Sequence, residues 1–131
     1  MYHLYPSRVM ATIKTKFRDN EHKNWLVELN TMQDELKLYQ DKLAYLAALY
    51  FTTEKEKAVN NLRRDVLEFF YQIDELRYMI HLHEVFLTEE AENGKIVEED
   101  HQTEMEKLAC LKKDFEVLKS KTESFYIARE D

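Results

Sequence analysis

From Trp25 onward the apolar residues return at alternating steps of four and three: Trp25, Leu29, Met32, Leu36, Tyr39, Leu43, Leu46 and Tyr50. This is the a/d seam of a heptad helix, and the intervening positions are mostly polar, among them Glu28, Asp34, Glu35, Lys37 and Asp41. A second seam follows through Val59, Leu62, Val66, Phe69, Ile73, Leu76, Ile80, His83 and Leu87. A third runs through Val97, His101, Glu104, Leu108, Leu111, Phe115, Leu118, Thr122 and Phe125, apolar in its middle and diluted by polar residues at both ends. The spacing predicts helices over about 20–51, 54–92 and 97–126.

The punctuation between the seams agrees with that division. Thr53 and Glu56 form an S/T-x-x-E capping box, the mark of a helix start. Asn93 and Gly94 are expected to stop the second helix in a left-handed turn. Glu98, Glu99 and Asp100 then fall in the first turn of the third, where the helix dipole favours anions. Long helices joined by short turns pack antiparallel. At about 1.5 Å per residue they make a rod about 45–50 Å long. The fold class is therefore all-α, a long antiparallel three-helix bundle or coiled coil over residues 20–131. Residues 1–19 stand apart: Tyr2, Leu4, Tyr5, Val9, Ile13 and Phe17 are apolar but out of register with the seam. They are expected to form an N-terminal arm, with room for a short helix, lying on the bundle.

Composition narrows the function classes. Glycine and proline each occur once in 131 residues, at Gly94 and Pro6. Phosphate-binding loops and nucleophile elbows need glycine, so neither is present. The net charge of −7 disfavours nucleic acid, and the basic stretch from Arg8 to Lys23 has too little glycine–aromatic interleaving to reverse that expectation. One cysteine, Cys110, excludes an intrachain disulfide; it falls at a peripheral helix position and is read as inert. There is no apolar run of the roughly 20 residues a membrane span needs and no secretory h-region, so a cytoplasmic location is expected. No nucleophile–base pair is brought together by spacing, and no catalytic residue is predicted.

The segments EHKNWL, opening the first helix, and FFYQIDELRYMIHLHE, in the second, resemble short uncharacterised helical proteins of Bacteroidetes bacteria. The resemblance spans roughly residues 20–125. It implies an all-helical fold and a bacterial source, and that family brings no established activity.

Candidate chemistry lies at one end of the rod. One seam step before Trp25 falls on His22, and His83 and His101 occupy seam positions on the other two helices. Antiparallel pairing about the two turns sets all three within two adjacent layers, together with Glu104. Asp19 and Glu98 precede His22 and His101 by one helical turn and lie on the same faces. Three imidazoles with one or two carboxylates suit zinc, iron or manganese, and di-iron bundles use E-x-x-H pairs of this kind. The plainer reading is a hydrogen-bonded polar network in which His83 donates to Glu104 or to a backbone carbonyl. His81 and His3 are expected to be solvated, and the eight acids between Glu89 and Glu106 are read chiefly as solvated surface.

The second helix carries a further apolar stripe. Opposite the seam the first helix reads Val27, Asp34, Asp41, Ala48 and the third Glu106, Lys113, Ser120, whereas the second reads Arg64, Tyr71, Tyr78, Val85. Leu67 and Leu82 lie beside that line, and Phe70 and Phe86 widen it. A helix that is apolar on two faces needs a second cover. Another copy of the chain, giving a homodimer through helix two, is the favoured cover; the N-terminal arm or a partner protein's helix would also serve. The leading reading is thus a non-catalytic structural or protein–protein interaction module that self-associates. The alternative is a metal-binding bundle using His22, His83, His101 and Glu104, with Asp19 or Glu98 assisting.

Overall fold

The computed structural model describes the backbone of residues 7–50, 53–89 and 94–130, and the side chains of residues 20–50, 54–85 and 101–125. The described residues form three helices: α1 (Ser7–Leu49), α2 (Thr53–Glu89) and α3 (Gly94–Glu130). Cross-helix contacts give their directions. Arg77 meets Asn30 and Gln33, while His83 lies beside His22, so α2 runs against α1. Glu21 meets His101, Glu28 meets Lys112 and Tyr39 meets Glu123, so α3 runs with α1.

The core is the predicted set of seams. Trp25, Leu29, Met32, Leu36, Tyr39, Leu43 and Leu46 of α1 are buried against Val59, Leu62, Val66, Phe69, Ile73, Leu76 and Ile80 of α2. Leu108, Leu111, Phe115 and Leu118 of α3 complete the cluster, with Tyr50 and Phe125 packed on it in part. The seam residues Leu87 and Val97 lie outside the described side chains. Burying apolar area of this kind is worth about 1.5–3 kcal/mol for each Leu-sized side chain. Polar contacts then fix the helices lengthwise. Arg77 on α2 donates through Nη2 to Asn30 Oδ1 and Gln33 Oε1, each at 2.8 Å, and through Nη1 to Asp74 Oδ1 at 3.0 Å. Lys112 Nζ on α3 sits 2.6 Å from Glu28 Oε2 on α1.

Two boundaries differ from expectation. α1 begins at Ser7, so the helix expected from about residue 20 already runs through the backbone of residues 7–19. No glycine or proline lies between Ser7 and Trp25, and an out-of-register apolar pattern weakens packing without breaking a helix. The side chains of Val9, Ile13 and Phe17 lie outside the described residues. Gly94 is the second difference: it opens α3, and no described glycine has positive φ. The helix-forming run after it takes Gly94 into the first turn as its first helical residue. α2 ends at Glu89, and Asn93 lies outside the described residues. At the other turn α2 starts at Thr53 as the capping box predicts, although the Thr53 side chain is not described.

Candidate metal centre

The seam of each helix ends its apolar run on a polar residue at the same end of the bundle. In α1 the step before Trp25 is His22, in α2 the step after Ile80 is His83, and in α3 the two steps before Leu108 are Glu104 and His101. A seam position points inward whatever residue occupies it, so the fold carries these groups into the core. His22 is 0% exposed, His83 3% and Glu104 1%, and the His101 side chain retains 15%. All four offer a ligand atom within 4.8 Å of one another.

Glu104 stands at the centre. Its Oε2 is 3.1 Å from His22 Nε2 and its Oε1 is 2.9 Å from His83 Nδ1. The His22 contact is a buried hydrogen bond between α1 and α3. The His83 contact is as short, but the ring nitrogen is not aligned as a donor, and both His83 nitrogens are buried without a hydrogen-bond partner. His22 Nδ1 and His101 Nδ1 are buried and unpartnered in the same sense. Burial pushes the Glu104 carboxyl up, but its close contacts with His22 and His83 outweigh it, so the net direction is down from the ordinary carboxylate value. Glu104 is therefore an ionised, buried acceptor.

The rings pack closely around that carboxylate. Ring centroids are 5.1 Å apart for His22 and His83, 5.4 Å for His22 and His101, and 6.0 Å for His83 and His101. Trp25 forms a wall beside them, 5.2 Å from His22 and 4.8 Å from His101. One side of the cluster is thus aromatic. Ordinary transition-metal bonds of about 2.0–2.1 Å to nitrogen or oxygen put tetrahedral donors about 3.3 Å apart. The two Glu104 contacts already lie near that spacing, and the remaining donors need a modest inward shift.

Sequence spacing therefore finds His22, His83, His101 and Glu104, and the structure brings all four together. Asp19 and Glu98, expected to assist, lie outside the described side chains. His81 is exposed on the outer surface of α2 and takes no part. Two residues were missed. Glu21 Oε2 is 3.3 Å from His101 Nε2, and Glu84 Oε1 is 3.5 Å from His22 Nδ1. Both are sequence neighbours of a seam histidine, in Glu21-His22 and His83-Glu84, at positions that flank the seam and reach across to the adjoining helix. The flanking position is the signal the sequence holds, and the three-dimensional register decides which flanking carboxylate reaches a histidine.

Family models, curated proteins and solved structures were compared with this chain, and none matches. Its function is read from its own residues.

Proposed function

We propose that this protein is a metal-binding three-helix bundle in which His22, His83, His101 and Glu104 hold one divalent transition ion. The observation that carries the proposal is the convergence of three imidazoles and an ionised carboxylate from three helices, with buried ring nitrogens lacking hydrogen-bond partners. A buried polar atom without a partner costs about 1–3 kcal/mol, and a cation satisfies several at once. Imidazole with carboxylate accommodates zinc, iron and manganese, and the ordinary affinity order favours zinc over the other two. Four protein ligands close a tetrahedral zinc site, which makes the ion structural: it ties all three helices together at one end. Iron or manganese, with higher coordination numbers, would leave positions open for hydrolytic or oxygen chemistry. The test is the elemental content of the untagged purified protein beside a His83→Ala control. Near-stoichiometric zinc that disappears in the control is expected. No metal, even after reconstitution, would leave a histidine–glutamate hydrogen-bonding network and end this reading.

A second reading concerns the outer face of α2 and is compatible with the first. Leu67 is 58% exposed, Tyr71 65% and Tyr78 61%, with Leu82 and Val85 beside them at 36% and 42%. Large apolar and aromatic groups in one line suit an interface, with tyrosine pairing an apolar ring with a polar tip. We read this face as the contact of a homodimer, in a protein that works as an interaction module without catalysis. Nucleic acid is disfavoured by the charge of −7, and no described helix is long and apolar enough to cross a membrane.

A further inference from the structure

Glu21 and Glu84 contact the same histidines as the centre does, but from outside it. Neither belongs to the converging donor group. Each faces one ring nitrogen of its histidine and leaves the other for the proposed ligand set. His22 turns Nε2 to Glu104 and Nδ1 to Glu84. His101 turns Nε2 to Glu21 and keeps Nδ1 buried and unpartnered.

Proton accounting gives this arrangement a meaning. A neutral imidazole has one N–H and one lone pair, and an ionised carboxylate only accepts. If protons alone serve the centre, His22 must donate from Nε2 to Glu104. Its Nδ1 lone pair then faces the Glu84 carboxylate, an unfavourable contact relieved only by a second proton. If a metal takes Nε2 and a Glu104 oxygen, the His22 proton moves to Nδ1, where Glu84 receives it. The same holds for His101: a proton on Nε2 meets Glu21 and frees Nδ1 as a ligand.

We infer that Glu84 and Glu21 are the positioning carboxylates of this metal centre, setting His22 to bind through Nε2 and His101 through Nδ1. The inference rests on the metal-binding reading above. Carboxylates that accept the second N–H of a ligating histidine fix its tautomer and raise its basicity. The 3.5 Å approach of Glu84 to His22 Nδ1 is long for a hydrogen bond, and it shortens once that nitrogen carries the proton. Glu21 and Glu84 retain 29% and 36% exposure, so replacing them leaves the bundle core intact.

The test uses the 131-residue chain with zinc. Zinc affinity is measured by competition with a chromophoric chelator for the wild type, Glu84→Ala, Glu21→Ala and the corresponding Gln variants. Imidazole tautomers of the zinc-loaded wild type are read from long-range proton–nitrogen correlations. Each Ala variant is expected to weaken zinc about 10–100-fold, the usual effect of losing such a partner. The Gln variants keep an acceptor oxygen and recover part of that loss. The spectra are expected to show His22 protonated at Nδ1 and His101 at Nε2. Wild-type zinc binding with both Ala variants within twofold, or with the opposite tautomers, would overturn the positioning role alone. Failure of the wild type to bind zinc would overturn the metal centre itself and this inference with it.

Discussion

At the scale of single residues, the most consequential group is Glu104, because one buried carboxylate serves histidines from two other helices. Removing one partner of such a network leaves buried groups uncompensated. Glu104→Ala is expected to cost the metal-free protein about 3 kcal/mol, measured by urea denaturation. A loss below about 0.5 kcal/mol would mean that the histidines are satisfied without it. Tyr39 makes a separate, pH-dependent contribution. Burial first, and then the charge of Glu123 and its hydrogen bond at 3.4 Å, push its phenol up to about 12 from 10.0. A raised value means the folded state holds its proton more tightly than the unfolded one. The associated stability is fully present below pH 10 and is lost as pH rises through about 12. Tyr39→Phe has no proton to lose and is expected to flatten that alkaline decline, seen as a smaller fall in melting temperature between pH 10 and pH 12. What the sequence made legible at this scale was the inward set, because period alone decides which side chains face the core. Glu21 and Glu84 were not legible, because flanking carboxylates are common on any exposed helix and only the three-dimensional register shows which of them reach a histidine.

At the scale of elements, the seams were the readable part: every described member of all three is buried or partly buried. Their cores should behave as close-packed interiors, so Leu36→Ala and Ile73→Ala are each expected to cost about 2–5 kcal/mol in thermal or chemical unfolding. The two helix starts that differ from expectation have local causes. Residues 7–19 lack the heptad register that exposes a helix in a sequence, yet they also lack any residue that would end one. Gly94 reads as a stop in the sequence because glycine tolerates left-handed backbone, but the same freedom lets it open a helix. Since Gly94 has no positive φ, Gly94→Ala is expected to stabilise the protein by about 0.4–1 kcal/mol. A left-handed stop there would instead make the substitution destabilising, so one melting curve separates the two conformations. On α2, the line of Tyr71 and Tyr78 was legible because its polar counterparts on α1 and α3 made it anomalous.

At the scale of the whole molecule, the fold places two different features on α2. Its inner face delivers His83 to the centre, and its outer face carries the exposed Leu67, Tyr71 and Tyr78. The homodimer reading predicts a mass that rises with concentration in analytical ultracentrifugation, and Tyr78→Glu should return it to that of one chain, 15.9 kDa. A wild-type mass fixed at one chain up to high concentration would remove that reading without touching the metal centre. The centre itself makes a claim about the entire bundle, because its four donors come from three helices and no single helix can supply them. A ligand that binds only the folded state stabilises it by about 2.7 kcal/mol at a hundredfold excess over its dissociation constant. For a chain of this size that corresponds to a rise of roughly 10 °C in melting temperature. The decisive measurement is the thermal unfolding of metal-free protein with and without saturating zinc, beside His83→Ala. A rise on the order of 10 °C in the wild type, absent from the variant, is the predicted result. An unchanged melting temperature, or an equal rise in His83→Ala, would contradict the claim that this centre holds the three helices together.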